Sequence, residues 1–116
     1  MITGKYPSLR LRRSRKNDWS RRLIEENNLT ANDFILPIFL IDGKNKKQTI
    51  KSMPGVYQYT LDKISYVIDR AIKTGLPMVA LFPSTQKKRK NFLGTEALNE
   101  DNLVCKALRL IKKKYK

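Results

Sequence analysis

Histidine is absent from all 116 residues. That removes the side chain most often used as a general base near neutral pH and as a metal ligand. The single cysteine, Cys105, excludes an intrachain disulfide and fits a reducing compartment. No apolar run approaches the roughly 20 residues of a membrane-spanning helix. The opening MITGKYPSLRLRR lacks the apolar core of a secretory signal, so the cytoplasm is the expected location. No phosphate-cradling glycine loop, metal-ligand spacing or catalytic dyad is visible. Acidic residues are scarce, with 10 Asp and Glu against 25 Lys and Arg, for a formal net charge of +15. An excess of that size raises nucleic acid or an anionic membrane as a partner.

What is present is a set of discrete apolar runs, enough for a core in one small domain. Residues 1–17 read as an extended basic arm in which Arg10, Arg12, Arg13, Arg15 and Lys16 repel one another. A short helix is expected over Asp18–Glu26, with Asp18 as its N-cap and Trp19, Leu23 and Ile24 roughly on one face. Thr30–Asp33 is turn-like. Phe34–Ile41 is almost continuously apolar and reads as a strand buried on both faces. Pro37 inside it lacks an amide donor, which points to an open edge or an irregularity. KNKKQTIK reads as a polar, basic loop. In SMPGVYQYT, Pro54-Gly55 favours a type II turn, with Gly55 supplying a positive φ.

The clearest helix is expected over Leu61–Thr74. Ile64, Val67, Ile68, Ala71 and Ile72 follow its period, and Gly75 is placed to end it. MVALF at 78–82 reads as a second buried strand. A long polar loop follows, and the last helix is expected to start near Asn99, with Glu100 and Asp101 in its first turn. Its apolar positions are Leu103, Val104, Ala107, Leu108 and Ile111, and its cationic tail runs from Lys112 to Lys116. Strand, helix, strand is a βαβ unit and implies a parallel sheet. Two strands and two helices do not make a closed sheet, and the second helix has no third strand to lead into. The pattern suggests the first third of a larger α/β protein, with a small complete α/β domain as the alternative.

Three features carry potential chemistry. RLRRSRK is either a phosphate-binding arm or a subunit-contact arm; it lacks the interleaved aromatics that stack on bases. KKRK at 87–90 reads as a solvated loop, with a localisation signal or phosphate patch as the alternative. Cys105 reads as a structural thiol on the core face of the last helix, since a nucleophile needs an activating base nearby.

YPSLRLRRSRKNDWSRRLIEEN, LTANDFILPIFLIDG, SMPGVYQYTLD, GLPMVALFP and GTEALNEDNLVCKALRLIKK, taken in that order, resemble the amino-terminal third of the 5-aminolevulinate dehydratase (porphobilinogen synthase) family. The resemblance covers about Tyr6 to Lys116. It implies a TIM (β/α)8 barrel fragment, with an amino-terminal arm and short helix over 1–33 and the first two βα units over 34–116. It also implies a lyase that condenses two 5-aminolevulinate molecules to porphobilinogen with loss of water. The arm, through Arg10, Arg12, Arg13 and Arg15, would contact another subunit of a homo-oligomer, not nucleic acid or membrane. Zinc or magnesium would serve the full-length enzyme. The family's metal ligands and its two Schiff-base lysines match no position here, so no catalytic, metal or substrate-binding residue is expected in this stretch. Lys63 and Lys73 are not substitutes. The stretch alone is expected to be inactive. The alternative is a stand-alone basic module that binds RNA or an acidic protein.

Overall fold

The computed structural model describes residues 3–10 and 12–115. Met1, Ile2 and Leu11 of the expected arm and Lys116 of the expected tail lie outside the described residues. The organising pair is β1 (Ile35–Leu40) and β4 (Met78–Pro83), which run parallel. Six Cα pairs join them, from Ile35 with Met78 to Leu40 with Pro83. Between them the chain crosses through α2 (Ile64–Lys73). This is the βαβ unit that the apolar pattern predicted.

Pro37 finds its place through the ladder. The Ile41 amide donates to the Tyr59 carbonyl at 3.0 Å, so alternate positions Phe39 and Pro37 face the same side of β1. The neighbouring strand on that side, β3 (Tyr57–Tyr59), pairs only with Phe39 and Leu40. The donor that proline lacks therefore falls on a free stretch of edge.

The loop expected at KNKKQTIK is instead half of a hairpin. β2 (Lys47–Thr49) pairs antiparallel with β3, and the sheet order is β2-β3-β1-β4. Every β2 residue is exposed, so no apolar alternation announces the strand. It is held by the backbone ladder, and the Lys47 ammonium sits 4.0 Å from the centre of the Tyr57 ring. The Pro54-Gly55 turn lies within the hairpin connection. Val56 N–H donates to the Met53 carbonyl at 3.0 Å, and Gly55 has φ 81°.

α2 is preceded by a 3-10 turn over Leu61–Lys63. It buries Ile64, Ile68 and Ala71; Ile72, predicted for the same face, is exposed. Its end is a Schellman motif: Leu76 N–H donates to the Ala71 carbonyl and Gly75 N–H to that of Ile72, with Gly75 at φ 73°. α3 (Leu103–Lys114) starts later than predicted. Asn102 Oδ1 accepts from the Cys105 amide at 2.9 Å and fixes the start, leaving Glu100 and Asp101 outside the helix. Its inward face is Leu103, Ala107, Leu110 and Ile111, whereas Leu108 points outward. The core is Ile38 and Leu40 of β1, Ile64 and Ile68 of α2, and Ala107 of α3.

The amino-terminal region stands apart from that core. α1 (Asp18–Leu23) is capped by Asn17, not Asp18, because the Asn17 amide donates to Ser20 Oγ; Asp18 occupies the first turn. The helix stops at Leu23 instead of Glu26, and Trp19 and Leu23 are 62% and 79% exposed. The radius of gyration is 22.5 Å, against about 13 Å for a compact chain of roughly 100 residues. The sheet is open: among the described residues β4 pairs only with β1, and Ile35, Met78 and Phe82 are largely exposed.

Candidate functional site

Parallel α/β sheets place ligands at the carboxyl ends of their strands, where the βα loops gather. Here that end is formed by Asp42, just past β1, and by Pro83, Ser84 and Thr85 at the end of β4. The Ser84 amide donates to the Leu40 carbonyl at 2.7 Å, which holds the two strand ends together. A cleft of about 470 Å³ opens beside them, walled by the loop between β4 and α3 and by the start of α3.

That loop is shaped by polar contacts. Arg89 Nη1 lies 3.4 Å from Glu96 Oε1 and 3.7 Å from Asp42 Oδ2. Gln86 Nε2 donates to the same Asp42 oxygen at 3.3 Å. The Asn91 side chain donates to Thr95 Oγ1 at 2.6 Å and accepts from the Thr95 amide at 3.1 Å. Asn102 Nδ2 donates to the Glu96 carbonyl at 3.4 Å. The KKRK run is exposed throughout, as a solvated loop would be; within it Arg89 turns toward two carboxylates. Composition hid this, because four adjacent cations look alike; the available signal was Asp42, an acid placed directly after a buried strand.

The lining of the cleft offers no nucleophile coupled to a base. Cys105 is half-buried in α3. Among the described residues no three His, Cys, Asp or Glu gather to hold a metal ion. Asp42 and Glu96, the acids of the cleft, are shared by Arg89. Among the described residues no donor set fits zinc or magnesium. Two carboxylates elsewhere hold their protons less tightly than usual. Asp33 is lowered mainly by the Thr30 amide, then by its hydroxyl. Asp62 is lowered chiefly by the Thr60 side chain, with desolvation opposing it and the Asn45 amide adding to it.

The arm arginines lie far from this chemistry in character. Arg10, Arg12, Arg13 and Arg15 are all exposed. Arg12, Arg13, Arg15 and Lys16 surround a shallow hollow, and the Arg10 guanidinium lies 5.4 Å from the centre of the Tyr6 ring. Among the described residues the ion pairs are made by Arg21, Arg22, Arg89 and Arg109. No helix is long and apolar enough to cross a membrane among the described residues.

The family profile described as delta-aminolevulinic acid dehydratase matches residues 8–116. The delta-aminolevulinic acid dehydratase of Bradyrhizobium diazoefficiens is 47% identical over 108 residues, covering 93% of this chain and 31% of that protein. Its counterpart from Helicobacter pylori is 40% identical over 108 residues, covering 92% and 33%. A crystal structure of the Toxoplasma gondii ME49 delta-aminolevulinic acid dehydratase (porphobilinogen synthase), in complex with the reaction product porphobilinogen, superposes with a TM-score of 0.82 at 29% identity. That match covers 92% of this chain and 30% of the other. The chain spans about a third of the length of these relatives.

Proposed function

The chain belongs to the delta-aminolevulinic acid dehydratase family, and from that premise we propose that it serves the condensation of two 5-aminolevulinate molecules to porphobilinogen, with loss of water. Its part in that lyase is architectural. Residues 34–116 supply the first two βα units of a TIM barrel, and residues 1–33 supply an arm and short helix for contact with a second copy. The observation that carries this reading is that the whole folded portion, not one motif, follows a dehydratase solved with porphobilinogen. The family likeness favours this over a stand-alone RNA-binding module.

The work of the segment is to set the strand ends. β1 and β4 bring Asp42 and Ser84 to the mouth where barrel sites are built, and the β4–α3 loop walls the cleft. The amines that attack the substrate carbonyls belong to other strands of the barrel. The zinc or magnesium expected of the family finds no donor set among the described residues. The arm arginines pair with carboxylates of the neighbouring copy, for which the guanidinium fork is well shaped. The proposed setting is the cytoplasm, in keeping with a single unpaired cysteine.

A chimera tests the reading. Residues 8–116 replace the corresponding stretch of the Bradyrhizobium dehydratase, and porphobilinogen formation is measured colorimetrically. Retained activity in the chimera, with none from the 116-residue chain alone, is expected. A folded, assembled chimera that forms no porphobilinogen overturns the proposal.

A further inference from the structure

The loop between β4 and α3 crosses the mouth of the two parallel strands, yet little apolar burial holds it there. Phe92, Leu93 and Leu98 are 104%, 80% and 82% exposed. At its root the Ser84 amide donates to the Leu40 carbonyl of β1; beyond that, its side-chain tie is to Asp42, just past β1, reached by Arg89 and Gln86 from the loop. Arg89 also grips Glu96 on the return limb of the same loop, and Asn102 holds the Glu96 carbonyl. One guanidinium thus fastens both limbs to the end of β1. Its side chain is 42% exposed and those of Asp42 and Glu96 are 34% and 24% exposed. Ion pairs open to water in this way are weak and sensitive to salt. Segments held by exposed polar contacts sit at the low end of local stability.

We propose that residues 84–102 form a cover over the carboxyl-terminal mouth of the strands, with Arg89 as its fastener. Opening releases Arg89 from Asp42 and Glu96 and frees the loop, while β1, β4 and α2 stay packed through Ile38, Leu40, Ile64 and Ile68. Arg89 is a positioning residue in this scheme: it touches no reacting atom and acts by holding Asp42 and the loop in register. That the mouth beneath is a dehydratase site rests on the function proposed above; the fastening itself does not.

Amide hydrogen exchange tests this on the 116-residue chain and, so that folding is secured by the rest of a barrel, on the chimera. In Arg89→Gln, amides of residues 84–102 are expected to exchange about three- to tenfold faster, with α2 amides unchanged. Arg89→Lys, which keeps the charge but loses the fork, is expected between the two. Raising the salt should speed the same amides in the unsubstituted protein, a readout that needs no variant. Unchanged loop exchange in Arg89→Gln and at high salt overturns the proposal. So does acceleration that spreads equally into α2, which would make Arg89 a general stabiliser. Activity of the chimera is read separately, so a failed fastener and a failed dehydratase are told apart.

Discussion

The Tyr115 hydroxyl donates to Asp69 Oδ1 at 2.6 Å, joining the last described residue of the chain to the middle of α2. A second acceptor, the Ser65 carbonyl, lies 3.3 Å away. Tyr115 also packs against the core cluster, so its ring and its hydroxyl do separate jobs. Tyr115→Phe keeps the ring and removes the donor. Because Asp69 is exposed, water takes over much of the lost bond, and the expected cost is about 1 kcal/mol. A lower thermal midpoint of the chimera, with its circular dichroism unchanged, is the expected result. A midpoint within error of the parent would mean that the contact does not hold α3 onto α2.

Thr60 is wholly buried and ties the hairpin to the start of α2. Its Oγ1 accepts from the Lys46 amide at 3.0 Å, and its single hydroxyl proton has the Lys46 carbonyl at 3.3 Å and the Asp62 carboxylate as alternative acceptors. Thr60→Val preserves shape but strands the Lys46 amide. The Thr60 amide still reaches the Lys46 carbonyl at 3.2 Å, so only one group is orphaned. The expected loss is about 1–3 kcal/mol, the usual penalty for an unsatisfied partly buried donor. Faster exchange at Lys46, accompanied by a lower midpoint, supports this; an unaltered Lys46 amide does not.

Acid should find two weak points. Asp33 and Asp62 both have pKa values below the ordinary 3.8, through the Thr30 amide and the Thr60 hydroxyl respectively. Each binds a proton less readily folded than unfolded, so the unfolded chain takes up more protons as the solution acidifies. The stability they contribute is complete above the unfolded value and is lost as pH falls through the lower folded values. Asp33→Asn with Asp62→Asn is expected to flatten the fall in thermal midpoint as pH drops below the ordinary carboxylate range. Both carboxylates are exposed, so the change is modest. An acid limb as steep as that of the parent contradicts the assignment.

The elements that bury apolar side chains were legible in the sequence. Ile38 and Leu40 declared a strand by lying in an unbroken apolar run, Ile64 and Ile68 declared a helix by their period, and the parallel pairing followed from their order. What escaped notice was held by polar groups. β2 has three exposed residues and no apolar period, and α3 begins where Asn102 caps it, not where acidic residues first cluster. Arg89 is one of four adjacent cations, and its selection by Asp42 and Glu96 depends on how the loop turns, which no local pattern specifies. The hairpin turn was readable because Gly55 supplies a backbone angle that few residues tolerate.

The arm makes the last prediction. Trp19 and Leu23 are 62% and 79% exposed, and among the described residues Arg12, Arg13 and Arg15 make no ion pair. Both are accounted for if a neighbouring copy supplies an apolar groove rimmed by acids. Reversing two charges with Arg12→Glu and Arg13→Glu sets like charges against that rim, which is expected to weaken assembly roughly tenfold to a hundredfold. Sedimentation velocity of the chimera should show smaller species, and Arg12→Lys with Arg13→Lys should restore part of the assembly because the charge returns without the fork. The thermal midpoint of the dissociated subunit should barely change, since both side chains are exposed. An unchanged sedimentation profile for the charge-reversed chimera would remove the arm arginines from the interface and leave their clustering unexplained.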